Sequence, residues 1–187
     1  AIQGVIILLL VCVLPLWSKV KQRQPTEENP SLDPSNITFK MLLKDRRALY
    51  STTTFLLYTG IEIGIGLWLA SYLVAIQSTS VKTAALWAGL YYGAITVGRI
   101  VTGFVSFKVA TTTLIRYGLV VALCGTTLLL LNVQPAVSLV GIVLIGCGFA
   151  PVFPGLIHST PRRFGHAKAS KVMSLQMVGG YVGASII

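Results

Sequence analysis

The chain has 187 residues and a formal net charge of +10 at pH 7, with 54% hydrophobic and only 11% charged residues. A soluble globular domain carries roughly 25% charged residues, so this composition leaves too little polar surface for a water-soluble particle. The positive charge does not indicate a nucleic-acid partner, because the basic residues form short clusters between long apolar runs rather than one solvated face. The composition excludes an ordinary soluble domain and predicts a membrane protein.

Six apolar runs are candidate membrane spans, because a helix needs about 20 mostly apolar residues to cross a bilayer. They are residues 1–18, 49–76, 84–106, 113–131, 136–159 and 172–187. Backbone N–H and C=O groups find no water partner in lipid, so runs of this length should be helices. The predicted fold class is all-α, a polytopic helical membrane protein.

The runs also predict how the chain is organised. We expect a partial membrane helix at residues 1–18, a polar cytoplasmic linker at residues 19–48, and a helical bundle at residues 49–187. Both end runs lack a polar flank on their outer side, so we expect the last helix to be truncated and the sequence to be an internal fragment. The end of the linker sets apolar residues among basic ones, which fits either a short helix on the membrane surface or a solvated loop.

The distribution of Lys and Arg predicts the orientation of these spans. Of the 15 basic residues, 13 fall on one side of the membrane, Lys82 falls on the other, and Arg99 lies within a span. The 13 are Lys19, Lys21, Arg23, Lys40, Lys44, Arg46, Arg47, Lys108, Arg116, Arg162, Arg163, Lys168 and Lys171. Cytoplasmic loops are enriched in Lys and Arg, so we assign this side to the cytoplasm.

Glu62 lies near the middle of the second predicted span and is the only acidic residue within any predicted span. A carboxylate at the bilayer centre costs about 2.5–3.5 kcal/mol, so a partner or a function must offset it. Helical steps place Tyr58 and Tyr72 on the same face as Glu62. The stripe fits either a substrate or proton site on a wet cavity, or a polar contact between helices.

Arg99 lies in the third predicted span, slightly on the cytoplasmic side of its centre, and shares a helical face with Tyr92 and Thr96. It lies at a depth similar to that of Glu62 on the neighbouring helix, so the two can pair. The alternative is a structural arginine that extends towards the cytoplasm or binds the ends of neighbouring helices.

Pro151 and Pro154 interrupt the fifth predicted span. Each proline removes the hydrogen bond to the carbonyl four residues earlier, which frees the carbonyls of Cys147 and Ala150. A helix broken in mid-membrane is tolerated beside protein or water, where it can act as a hinge or line a substrate cavity.

The sequence contains no HExxH motif, no GxSxG motif and no clustered set of His, Cys and Asp residues. We therefore predict that the protein is not an enzyme, and we expect no cofactor and no metal ion. The candidate substrate or ion pathway consists of Glu62, Tyr58, Tyr72, Arg99, Tyr92, Pro151 and Pro154.

Several of these stretches resemble the C-terminal half of a major facilitator superfamily transporter, and more narrowly its fucose-permease-like branch. They are residues 58–66 (YTGIEIGIG), Gly98-Arg99, and Phe153-Pro154 followed by Gly179-Gly180. The polar linker before Tyr50 resembles the cytoplasmic loop between helices six and seven of that family. One difference is the loop at residues 106–113, which lacks the Asp-Arg and paired basic residues of the usual family loop motif.

The resemblance implies a fold of twelve helices, of which this chain would supply helices six to eleven. Residues 50–76 and 136–159 would line a central cavity, and the protein would carry a small polar solute, a sugar for this branch, by alternating access. The implied partners are the lipid bilayer, the solute and a coupling ion, either a proton or sodium. The implied location is multi-pass in a plasma or cytoplasmic membrane. The rival hypotheses are a non-transporting membrane receptor or scaffold and a membrane-embedded enzyme.

Overall fold

The computed structural model describes residues 38–186, and this part of the chain is helical, with short connections and no strand. Its helices are α1 (Phe39–Lys44), α2 (Arg46–Gln77), α3 (Val81–Val105), α4 (Thr111–Leu131), α5 (Pro135–Phe149), α6 (Val152–Phe164) and α7 (His166–Ile186). The predicted all-α fold class is confirmed. The predictions for residues 1–37 lie outside the described residues.

Four helical stretches are long and apolar enough to cross a membrane, judged by length and composition. Three of them are α2, α3 and α4, and the fourth is Pro135–Phe164, which combines α5 and α6. These stretches coincide with the four complete spans that the apolar runs predict. The bilayer sets the length of these runs, so length and hydropathy were sufficient to find them.

The polar connection predicted at residues 160–171 is almost entirely helical. Helix α6 continues to Phe164, and α7 begins at His166 after a single residue, Gly165, whose φ of 75° suits glycine. Hydropathy marks where hydrocarbon ends, whereas a helix continues through the headgroup layer as long as its backbone bonds are made. The apolar run at residues 136–159 therefore predicted the membrane span but not the residue at which the helix ends.

The short helix α1 precedes the bundle and packs against it. Leu42 is 2% exposed and contacts a small cluster that includes Ala48 on α2 and Val172 on α7. Asp45 ends α1 and caps α2, because its carboxylate accepts a hydrogen bond from the backbone N–H of Arg47 at 2.9 Å. Of the two alternatives for this segment, the structure forms the helix at residues 39–44.

Glycines allow α4 and α5 to pack with their backbones in contact. A Cβ atom at Gly141 would lie 2.7 Å from the carbonyl oxygen of Gly125, and one at Gly148 would lie 2.5 Å from that of Gly118. Gly118 and Gly125 are seven residues apart on α4, as Gly141 and Gly148 are on α5, so each pair lies on one face of its helix. This contact holds the broken α5–α6 span against α4.

A buried amide joins the opposite side of the bundle. The side chain of Gln176 on α7 is 1% exposed, and its Nε2 donates to Ser51 Oγ on α2 at 2.6 Å. Its Oε1 accepts from the Thr160 hydroxyl on α6 at 3.1 Å. Because polar groups in an apolar interior need partners, this network fixes the register of α2, α6 and α7.

Candidate functional site

The two ionised side chains within the spans meet in the middle of the bundle. Arg99 Nη2 on α3 lies 2.9 Å from Glu62 Oε1 on α2, with 42% of the arginine side chain and 13% of the glutamate side chain exposed. Of the alternatives that the sequence left open for Arg99, the structure forms the ion pair. The pair neutralises both charges, and its exposed edge leaves the guanidinium accessible from outside the described bundle.

Tyr58 lies one helical turn before Glu62 and links it to another helix. Its hydroxyl is hydrogen-bonded to Glu62 Oε2 and lies 3.2 Å from the carbonyl oxygen of Phe149, the last residue of α5. A phenol carries one proton and can donate to only one of these acceptors at a time. Tyr58 therefore lies between two competing acceptors, one on its own helix and one at the end of α5.

The predicted break in the fifth span is confirmed at Ala150 and Pro151, between the end of α5 and the start of α6. Pro151 is buried, and its ring lies against Gly118 on α4, where an added Cβ would be 2.7 Å from the proline Cγ. Pro154 is exposed. The Tyr58 hydroxyl faces the carbonyl of Phe149. The prolines free the carbonyls of Cys147 and Ala150, and Phe149 lies between these two residues in the chain.

Arg99 also contacts the helix that follows the break. The centre of its guanidinium lies 5.6 Å from the centroid of the Phe153 ring on α6. A cation at this distance from an aromatic face is attracted by the ring quadrupole, by about 1 kcal/mol when the site is partly exposed. Side chains of α2, α3 and α6 thus converge on the Glu62–Arg99 pair.

Tyr91 is a member of this cluster that the sequence reasoning missed. It is fully buried on α3, and its hydroxyl donates to the backbone carbonyl of Glu62 at 2.9 Å. Tyr91, Ile95 and Gly98 are spaced by four and three residues and are all buried, so they share the packed face of α3. This helical spacing is the sequence feature that could have identified Tyr91 as a buried residue. Phe153 was missed too, although its position between the two prolines could have suggested a role at the break.

The structure brings some of the predicted residues close to the pair and leaves others apart. Tyr92 is 47% exposed, and its ring packs edge-on against Tyr91 at 5.2 Å, with its hydroxyl against Gly66 of α2. The hydroxyl of Tyr72 instead donates to the carbonyl of Leu129 at 3.5 Å. Tyr72 lies ten residues beyond Glu62 on α2, which is about 15 Å along the helix axis, so it belongs to a different part of the bundle.

This arrangement can bind a polar solute through hydrogen bonds and aromatic contacts. A carboxylate, a guanidinium and two phenols provide hydrogen-bond donors and acceptors, and aromatic rings provide stacking surfaces. Among residues 38–186 no group of three or more His, Cys, Asp and Glu residues could hold a metal ion. An intramembrane ion pair with an exposed edge is typical of a solute or ion pathway.

Comparison with known proteins identifies the family. The family model described as Major Facilitator Superfamily matches residues 1–187. The chain belongs to the Major Facilitator Superfamily. A search of curated proteins and a search of solved structures each returned no match.

Membership of the Major Facilitator Superfamily makes the chain part of an integral, multi-pass membrane protein that transports a small solute across a lipid bilayer. Proteins of the Major Facilitator Superfamily are typically transporters rather than enzymes. The predicted resemblance to a major facilitator superfamily transporter is therefore confirmed at the level of the superfamily.

Proposed function

We propose that the chain is the C-terminal half of a secondary transporter of the fucose-permease-like branch, which carries a small hydroxylated solute, a sugar, by alternating access. The observation that carries this proposal is the Glu62–Arg99 ion pair beside a helix broken in mid-span. Transporters of this architecture bind their substrates near the bilayer midplane, at interrupted helices.

The chemistry of the exposed edge supports a hydroxylated solute. Arg99 is 42% exposed at its side chain, and Tyr92 nearby is 47% exposed, so a guanidinium and a phenol are both accessible. Phe153 adds an aromatic surface under the guanidinium. A sugar presents hydroxyl groups for the polar side chains and an apolar ring face for the aromatic side chain.

The contact between Tyr58 and the break supports alternating access coupled to a proton. While Glu62 is ionised, its carboxylate is the stronger acceptor and holds the Tyr58 proton. Once protonated, Glu62 would donate to the Tyr58 oxygen, and Tyr58 would turn its proton towards the carbonyl of Phe149. The same step would weaken the attraction for Arg99 and free it for the solute. Protonation would thereby alter contacts on both sides of the break.

Transport by the intact protein carrying Glu62→Gln tests this function. If Glu62 carries the proton, the variant retains solute exchange but loses accumulation driven by a pH gradient. If Glu62 only binds the solute, affinity falls in both assays. Asp45→Asn is the matched control, because Asp45 is the other acid among residues 38–186 and caps α2 outside the ion pair.

Two outcomes argue against the proposal. Normal expression with normal uptake in Glu62→Gln would remove Glu62 from the pathway. Poor expression that is restored by adding Arg99→Gln would show that the carboxylate only neutralises Arg99, since an unpaired charge within the span destabilises the fold.

A further inference from the structure

A cavity lined by polar and aromatic side chains lies where α2 begins and α6 ends. It has a volume of about 370 Å³ and is lined by Arg47, Tyr50, Ser51, Thr54, Arg163 and Phe164. Ser51 lies eleven residues before Glu62 on α2, about 16 Å along the helix axis. The cavity is therefore separate from the ion pair.

The charge of this cavity has no counterion within the described part of the chain. Two guanidinium groups line it, and no carboxylate is among its lining residues. Residues 38–186 contain two acids, of which Glu62 is bound to Arg99 and Asp45 caps α2 through the backbone of Arg47. The described residues therefore leave both guanidinium groups available to an anion.

Hydroxyl groups complete the set of donors. Ser51 Oγ accepts a hydrogen bond from Gln176 Nε2 at 2.6 Å, which fixes the serine and leaves its own proton available to donate. Gln176 is 1% exposed and is itself held by Thr160, so the serine rests on a buried network. Tyr50 is 70% exposed and adds a second hydroxyl at the rim.

We propose that this cavity binds the phosphate group of an anionic ligand. Guanidinium groups match the geometry of phosphate oxygens and donate to them in pairs, and the Ser51 hydroxyl adds a positioned donor. The Lys and Arg count assigns this end of the bundle to the cytoplasm, at the depth of the lipid headgroups. Phe164 provides an apolar wall, so both an anionic phospholipid headgroup and a soluble phosphate ester have the required chemistry.

The sequence offers matched controls for a binding experiment. Arg46 and Arg162 are exposed neighbours of Arg47 and Arg163 with the same charge, and neither lines the cavity. The intact protein in neutral detergent is titrated with phosphatidylglycerol, with phosphatidylcholine and with inorganic phosphate, and its melting temperature is recorded. The cavity variant is Arg47→Gln with Arg163→Gln, and the control is Arg46→Gln with Arg162→Gln.

We expect phosphatidylglycerol to stabilise the wild type and the control, and the cavity variant to require about tenfold more lipid, which corresponds to about 1.4 kcal/mol of binding free energy. Stabilisation by inorganic phosphate as well would identify the phosphate group alone as sufficient. Stabilisation by the lipid alone would identify a headgroup site. If the double variant does not fold, Arg47→Gln is compared with Arg46→Gln.

Equal responses of the cavity and control variants would overturn the proposal, because the effect would then follow net charge rather than position. Equal stabilisation by phosphatidylcholine and phosphatidylglycerol would also overturn it. Neither result bears on Glu62, so this test and that of the transport function fail independently.

Discussion

The hydroxyl of Tyr58 connects the Glu62–Arg99 ion pair to the broken helix. It faces the Glu62 carboxylate on its own helix and the Phe149 carbonyl at the end of α5. Its ring also packs edge-on against the Phe149 ring, with centroids 5.8 Å apart and planes at 83°. The ring contact and the hydroxyl contacts can therefore be separated by removing one oxygen atom.

Tyr58→Phe should weaken transport more than it weakens the fold. Phenylalanine keeps the ring contact with Phe149 but removes the hydroxyl and the one hydrogen bond that it donates, and such a bond within a membrane protein contributes about 1 kcal/mol. We expect a fall of about 2–4 °C in melting temperature and a loss of proton-driven accumulation. Tyr181→Phe is the control, because Tyr181 is 75% exposed on α7. Accumulation equal to that of the control would contradict a relay through Tyr58.

The sequence identified the charged residues of the site more readily than their neighbours. Glu62 and Arg99 stand out because ionised side chains are rare in apolar runs, and their similar depths suggested the pair that the structure forms. Helical spacing assigned Tyr72 to the face of Glu62, but spacing does not say which neighbouring helix a side chain meets. Tyr72 meets the end of α4. Tyr91 was missed because its burial depends on packing between helices.

At the scale of helices, the α5–α6 break is the feature on which the proposed alternating access depends. Helical hydrogen bonds flank it on both sides, since the N–H of Ala150 bonds to Gly146 O at 3.2 Å and that of Gly155 to Pro151 O at 3.0 Å. Pro151 and Pro154 lack the N–H groups that would complete the ladder. The segment is a weakened helix rather than a loop, which is what a hinge requires.

Pro151→Ala with Pro154→Ala should impair transport while leaving membrane insertion largely intact. Two restored backbone hydrogen bonds of about 1 kcal/mol each would shift the balance between straight and bent forms by roughly 30-fold. Uptake is compared with the amount of protein in the membrane. Pro161→Ala is the control, because Pro161 lies inside α6 beyond the break. Uptake that matches this control would show that the break is incidental.

The close contact between α4 and α5 predicts which glycines tolerate a methyl group. A Cβ at Gly141 would lie 2.7 Å from Gly125 O and 3.0 Å from Leu129 N, whereas one at Gly93 would meet nothing within 4 Å. Gly141→Ala should destabilise the protein by about 1–3 kcal/mol through overpacking. Gly93→Ala should leave the melting temperature unchanged or raise it slightly, because nothing opposes the methyl group and alanine is the better helix former. Equal melting temperatures for the two variants would contradict the packing described for α4 and α5.

Two glycines four residues apart can let helices pack closely, but this spacing alone does not identify a contact in the bundle. The pair Gly179 and Gly183 does allow close approach, with Gly179 against Thr52 and Gly183 against the carbonyl of Leu56 on α2. The pair Gly89 and Gly93 has the same spacing and meets no neighbour among the described residues. Spacing shows that a helix has a smooth face, but the partner that covers this face depends on the arrangement of the whole bundle.

At the scale of the whole molecule, the distribution of charge separates the two ends of the bundle. Basic residues lie at or beside one set of helix ends, namely the starts of α2, α4 and α7 and the ends of α3 and α6. At the opposite end of the bundle, the α2–α3 turn adjoins Lys82 and the α4–α5 turn has no Lys or Arg. Successive connections between the helices lie alternately at the basic end and at the other end, as expected for a chain that crosses a bilayer repeatedly. The bundle thus has one basic end and one nearly neutral end.

Cysteine labelling in intact cells tests the orientation that follows from this asymmetry. In a background where Cys12, Cys124 and Cys147 are replaced by serine, single cysteines are placed at Ser31 in the linker, Ser170 in the first turns of α7, and Gln134 before α5. Lys and Arg are retained on the cytoplasmic side during insertion. An impermeant maleimide should therefore label only position 134 in intact cells, and positions 31 and 170 only after permeabilisation. Strong labelling of position 31 or 170 in intact cells would reverse the orientation, and the basic cavity would then face the outside.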